Sequence, residues 1–111
     1  MTLILASKSK ARIAMLKNAG ITFDSIPADI NEEKIIADMI KDGASTGNIA
    51  VSLAREKALA ISKNNPDKYI IGSDQLLSMG DIIYSKAKNK NEALERLQEF
   101  QGKEHYLTSG V

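Results

Sequence analysis

Short apolar runs alternate along this chain with stretches of helical apolar spacing, and that alternation restricts it to layered α/β architectures. Leu3, Ile4 and Leu5 form the first run, continuous as in a strand covered on both faces. Ser7 and Ser9 are both candidate N-caps for a helix that follows from Lys10 through Ile13, Met15 and Leu16 until Gly20 stops it. Ile21 to Ile26 predicts a second strand, closed by Pro27. Helices are expected from Glu32 to Lys41, through Ile35, Ile36, Met39 and Ile40, and from Thr46 or Asn48 to the stop at Asn64, Asn65 and Pro66. The second of these should carry Ile49, Leu53, Leu59, Ala60 and Ile61 inward.

The remainder continues the pattern. Tyr69, Ile70 and Ile71 read as a buried strand, and Leu76, Leu77 and Ile82, Ile83 around Gly80 and Asp81 read as a hairpin. Asn91 to Gln101 predicts an amphipathic helix through Ala93, Leu94, Leu97 and Phe100, and His105 to Val111 a last strand. The hairpin supplies an antiparallel pair, so the expectation is a mixed β-sheet with flanking helices in one domain over residues 1–111.

Composition narrows the functions open to such a domain. With 111 residues, 43% hydrophobic and 26% charged, one modest core is possible. Fifteen basic against 14 acidic residues leave a net charge of +1, too little for a field that attracts nucleic acid or a membrane surface, so any anion site must be local. The chain has no Cys, which excludes disulfides, thiolate metal sites and Cys nucleophiles and fits a cytoplasmic setting; its single His105 excludes a multi-His centre. The apolar start, Met1 to Ala6, is too short for a signal sequence, and no run of about 18 apolar residues could cross a bilayer.

Three segments could carry chemistry. Ser7, Lys8, Ser9, Lys10, Ala11 and Arg12 put two hydroxyls and three cations at a helix start, where backbone N–H groups and the helix dipole also favour anions; the plainer alternative is a capped helix with solvated bases. Gly72, Ser73, Asp74 and Gln75 follow a strand directly, where ligands bind in open α/β sheets; Asp74 could hold a divalent cation, orient water, or simply start a turn. Arg55, Glu56 and Lys57 cannot share one helix face, so either they are solvated or one of them points at something else. Lys86 is a further basic element after the hairpin, and Glu32 and Glu33 form an acidic pair at a helix start.

The order of these elements resembles the Maf family of nucleoside triphosphate pyrophosphatases. The likeness runs from Leu3 to Val111, through Ala6 to Ser9 with Arg12 and Leu16, then Asn31 and Glu32, Leu53 to Ala58, Gly72 to Gln75, Lys86, and Gly102 with His105. It implies an elongated α/β fold with a cleft, often a homodimer, and hydrolysis of a nucleoside triphosphate to the monophosphate and pyrophosphate with Mg2+ or Mn2+. A pyrimidine or a modified nucleotide would be the substrate. Ser7, Ser9, Arg12, Lys57 and Lys86 would bind the triphosphate, Asp74 would be catalytic, and Glu32 and Asp74 would hold the metal. Lys10 and Ala11 stand where the family has Pro and Arg, Asn31 where it has Asp, Gln75 where it has Thr, and Ala87 where it has Pro. Family members are roughly twice as long, so the resemblance covers an N-terminal half and carries an alternative: a truncated nucleotide-binding protein impaired in catalysis.

Overall fold

The computed structural model describes residues 2–84 and 86–111; Met1, first of the apolar start, lies outside them. Ten elements follow in the order β1 (Leu3–Leu5), α1 (Lys10–Asn18), β2 (Asp24–Ser25), α2 (Glu32–Lys41), α3 (Thr46–Ser62), β3 (Tyr69–Ile71), β4 (Asp74–Met79), β5 (Ile82–Tyr84), α4 (Lys90–Phe100) and β6 (Tyr106–Gly110). Each helix starts on a residue whose side-chain oxygen accepts an N–H three residues on: Ser9, Asn31, Ser45 and Asn89.

The layered α/β class holds, with its two kinds of pairing separated. Strands β2, β1 and β3 form a parallel sheet in that order, and β5, β4 and β6 form an antiparallel one. Only Gly72 and Ser73 separate β3 from β4, yet the strands join different sheets. The reason is α3, which both sheets share. Its Ile49, Ala50 and Leu53 pack with Leu76 of β4 and with Ile35, Ile36 and Met39 of α2, while Ile61 packs with Ile4 and Ala6 beside β1.

Two glycines let the strands reach that helix. A Cβ added to Gly72 would lie 2.0 Å from the Ala54 carbonyl oxygen, and one added to Gly110 would lie 2.5 Å from the Ala50 carbonyl carbon. Gly47, in the first turn of α3, faces open space, with nothing nearer its Cβ position than Ser45 Oγ at 4.0 Å. Gly47→Ala should therefore stabilise the fold by about 0.5 kcal/mol through reduced unfolded-state freedom and better helix propensity. Thermal melting followed by circular dichroism checks this, and a lower midpoint would refute it.

Several expectations change in detail. Ile21 to Phe23 are not strand. The Ile21 N–H donates to the Leu16 carbonyl at 3.1 Å and the Gly20 N–H to the Lys17 carbonyl at 3.0 Å, so this segment closes α1, with Gly20 at φ 77°. Strand β2 begins only where Asp24 and Ser25 come beside Ile4 and Leu5. Leu59 does not point inward, and Leu94 and Leu97 of α4 are exposed, leaving Phe100 as that helix's buried residue. Strand β3 is half-buried rather than buried.

The molecule is a plate of 47 × 34 × 20 Å. Its radius of gyration is 15.5 Å, against about 13 Å for a compact domain of this length. That openness leaves Met15, Leu97, Tyr106 and Leu107 exposed. No helix among the described residues is long and apolar enough to cross a membrane.

Candidate active site

From β1 the chain passes to β2 on one side, then returns through α2 and α3 to β3 on the other. The carboxyl end of β1 is thus a topological switch point, where opposed crossovers open a crevice. The segment after β1 and the segment after β3 both end there, which brings Ser7 to Arg12 and Gly72 to Asp74 to one end of the parallel sheet.

Hydrogen bonds from serine side chains and the backbone fix the first segment. The Ser25 hydroxyl donates to the Ser7 carbonyl at 2.6 Å, and the Ile26 N–H donates to the Leu5 carbonyl at 3.0 Å, tying the end of β1 to β2. Ser7 is buried and its Oγ accepts the Ser9 N–H at 3.0 Å. Ser9 in turn caps α1, accepting the Arg12 N–H at 3.4 Å. The capping role and the place in the cleft coexist.

The second feature joins three elements. Lys57, about two-thirds of the way along α3, sets its Nζ 2.6 Å from Glu32 Oε1, the first residue of α2, and 2.7 Å from Asp74 Oδ1, the first residue of β4. The Lys57 and Asp74 side chains are 13% and 9% exposed, while Glu32 is 47% exposed. Arg55 and Glu56 stay at the surface, so Lys57 is the member of its triplet that turns away from solvent. Burial is the largest single influence on its ammonium and lowers its pKa. Hydrogen bonds and charge attraction from Asp74 and Glu32 together outweigh burial, and Lys57 titrates above its ordinary value of 10.5.

A raised pKa on a base stabilises the fold at pH values below the unfolded-state pKa, and that stabilisation is lost as pH rises through the folded value. Resistance to urea should hold from neutrality to about pH 10 and fall above it. Lys57→Met should lack part of that alkaline fall, while an identical pH profile in the variant would count against the ion pair. Lys34, bonded to Asp38, and Tyr84, through burial and its bond to Glu99, also have raised pKa values and are unchanged in the variant.

Both features face one cleft of about 750 Å3. Its walls include Ser7, Lys8, Ser9, Lys10, Arg12, Glu32, Lys57, Asp74 and Lys86, with Ala6, Ala11 and Ala28 between them. Every residue singled out for substrate, catalysis or metal is therefore brought to a single cavity from five separate segments. The cavity is hydroxyl-lined and basic along Ser7 to Arg12 and acidic at Glu32 and Asp74.

Other expected residues lie elsewhere. His105 stacks on the Phe100 ring with centroids 5.1 Å apart, next to Tyr84, away from the cleft. Gln75 donates from Nε2 to Ser109 Oγ at 3.3 Å and faces a second groove. That groove, about 550 Å3, is mostly apolar, with Leu5, Met15, Leu16, Ile71 and Val111 in its walls. Ser9 and Arg12 line both cavities and form the partition between them. Sequence reasoning missed the groove, because its apolar walls come from β1, α1, β3 and the residue after β6, whose proximity no local pattern encodes.

No group of three or more His, Cys, Asp or Glu side chains that could hold a metal occurs among the described residues. The Glu32 and Asp74 carboxylates do converge within reach of one cation, as their shared contact with Lys57 shows. Magnesium is commonly held by one or two carboxylates, with substrate phosphates and water filling its other positions, so the donor set fits a metal that arrives with a phosphorylated ligand.

Known proteins resemble the chain over nearly its whole length. A 7-methyl-GTP pyrophosphatase of Brucella suis biovar 1 (strain 1330) is 46% identical over 109 residues, which are 98% of this chain and 55% of that protein. A nucleoside triphosphate pyrophosphatase of Rhodopseudomonas palustris (strain HaA2) is 44% identical over 110 residues, 98% of this chain and 53% of that protein. Another, of Granulibacter bethesdensis (strain ATCC BAA-1260 / CGDNIH1), is 44% identical over 111 residues, 100% of this chain and 56% of that protein. The chain spans about half the length of the curated relatives it matches. Residues 2–111 match the family described as Maf-like protein, and the chain belongs to that family.

Proposed function

We propose that the cleft binds the triphosphate of a nucleotide and that the chain takes part in its hydrolysis to nucleoside monophosphate and pyrophosphate. The observation that carries this reading is the meeting of Ser7, Ser9, Arg12, Lys57, Lys86, Glu32 and Asp74 around one cavity. Hydroxyl and N–H donors at the start of α1 take phosphate oxygens, and Arg12 with Lys86 offsets the charge of the leaving pyrophosphate. Asp74, buried and fixed by β4, orients the attacking water. A bound Mg2+ or Mn2+ would supply charge neutralisation between the carboxylates and the phosphates. The apolar groove behind Ser9 and Arg12 is the place for the nucleobase, and relatives named for a 7-methylated purine nucleotide make a modified base the first substrate to try.

The test is release of pyrophosphate from a panel of triphosphates, 7-methyl-GTP included, with Mg2+ or Mn2+, beside a full-length relative as positive control. Product from the relative and none from this chain would sink hydrolysis by the chain itself. A second reading, binding without turnover, is favoured by one observation: both carboxylates are already engaged by Lys57. Calorimetric binding of a triphosphate without product would select it.

A further inference from the structure

One cation already sits where the two cleft carboxylates converge. Lys57 Nζ lies 2.6 Å from Glu32 Oε1 and 2.7 Å from Asp74 Oδ1. A divalent ion bound to those same oxygens would sit about 2.1 Å from each, in nearly the same place. An ammonium and a divalent ion cannot share that space, least of all beside a carboxylate as buried as Asp74. Occupation by one therefore excludes the other.

We propose that Lys57 is an exchangeable occupant of the Glu32–Asp74 pair. Without a divalent cation, its ammonium holds α2 and β4 together through the two carboxylates. When a divalent cation takes the pair, Lys57 leaves it and swings on its four-carbon stem toward the Ser7–Arg12 wall of the same cleft, where it meets phosphate. Metal and triphosphate then help one another, since the ligand that neutralises the released ammonium favours the metal-bound state, and coupling of this kind is reciprocal. The phosphate half of this exchange rests on the function proposed above; the competition between Lys57 and metal does not.

Mn2+ binding by the purified chain, followed by electron paramagnetic resonance of the free ion, tests the competition. Lys57→Met should bind Mn2+ about tenfold more tightly than wild type, because the competing ammonium is gone. Glu32→Gln should bind it more weakly. In the wild-type protein, Mg2+ should saturably shift the Lys57 side-chain NMR signal, a response that a purely structural lysine would not give. At saturating Mn2+, Lys57→Met should bind a non-hydrolysable nucleoside triphosphate more weakly than wild type, the opposite sign to its effect on the metal. If Lys57→Met fails to fold, Lys57→Gln is read in the same way. Equal or weaker Mn2+ affinity in the folded variant, with an unmoved Lys57 signal in wild type, overturns the exchange. Metal exchange without any triphosphate binding leaves the competition standing and refutes the proposed function instead.

Discussion

On the proposed function, Asp74→Asn should cut pyrophosphate release by about a thousandfold while leaving triphosphate binding, measured without divalent metal, within a few-fold of wild type. The amide keeps the shape of the carboxylate but neither attracts a metal nor accepts a proton from water. Lys57 keeps Glu32 as an ionic partner at 2.6 Å, so the fold should survive with a melting point lowered by a few degrees. Parallel measurements of turnover, calorimetric binding and thermal melting separate the possibilities. Retained turnover in the folded variant would remove Asp74 from the chemistry, and loss of folding would make its role structural.

Gly72→Ala should have the largest effect on stability. Its new Cβ would stand 2.0 Å from the Ala54 carbonyl oxygen and 3.0 Å from the Ala58 Cβ. The offending atom belongs to the α3 backbone, so no rotamer change relieves the clash, and neither does Ala54→Gly. Either β3 must lift from the helix or α3 must shift, at a cost of at least about 3 kcal/mol. A loss of that size lowers the melting temperature by about 10 °C or more in a domain of this length. It also moves Asp74, two residues on, away from Lys57. Circular dichroism melts of Gly72→Ala beside Gly47→Ala give the contrast directly, since the two changes are chemically identical and opposite in expected sign. A Gly72→Ala melt that matches wild type would show that the strand and helix are less tightly apposed than these contacts indicate.

Much of the local structure was legible in the residues. Hydroxyl and amide side chains at Ser9, Asn31, Ser45 and Asn89 mark helix starts through hydrogen bonds spanning only three positions, so nearby sequence suffices to place them. The apolar run Leu3 to Leu5 and the turn at Gly80 and Asp81 are local for the same reason. The misread segment, Ile21 to Phe23, alternates like a strand, but its first amide is consumed in closing α1 and it lies ahead of the stretch that pairs with the short β1. Leu59, Leu94 and Leu97 follow helical spacing yet remain exposed, because periodicity says which face is apolar and not whether anything covers it.

The cleft residues divide along the same line. The Ser7 to Arg12 segment and Asp74 stood out by residue type and position, whereas site roles for Glu32, Lys57 and Lys86 came from the family resemblance of the order along the chain. Their convergence was not legible, because it depends on the switch point at β1 and on two glycines that let both sheets close on α3. Sequence alone could offer Lys57 only as a phosphate ligand or a solvated charge. The tertiary structure put its ammonium between Glu32 and Asp74, contacts 25 and 17 positions away along the chain that no helical or strand period can encode. What the residues determined by themselves is the chemistry available, hydroxyls, cations and two acids on an α/β frame. What only the packing decided is that the acids face one another across a lysine, because a charge removed from water must find its partners in space.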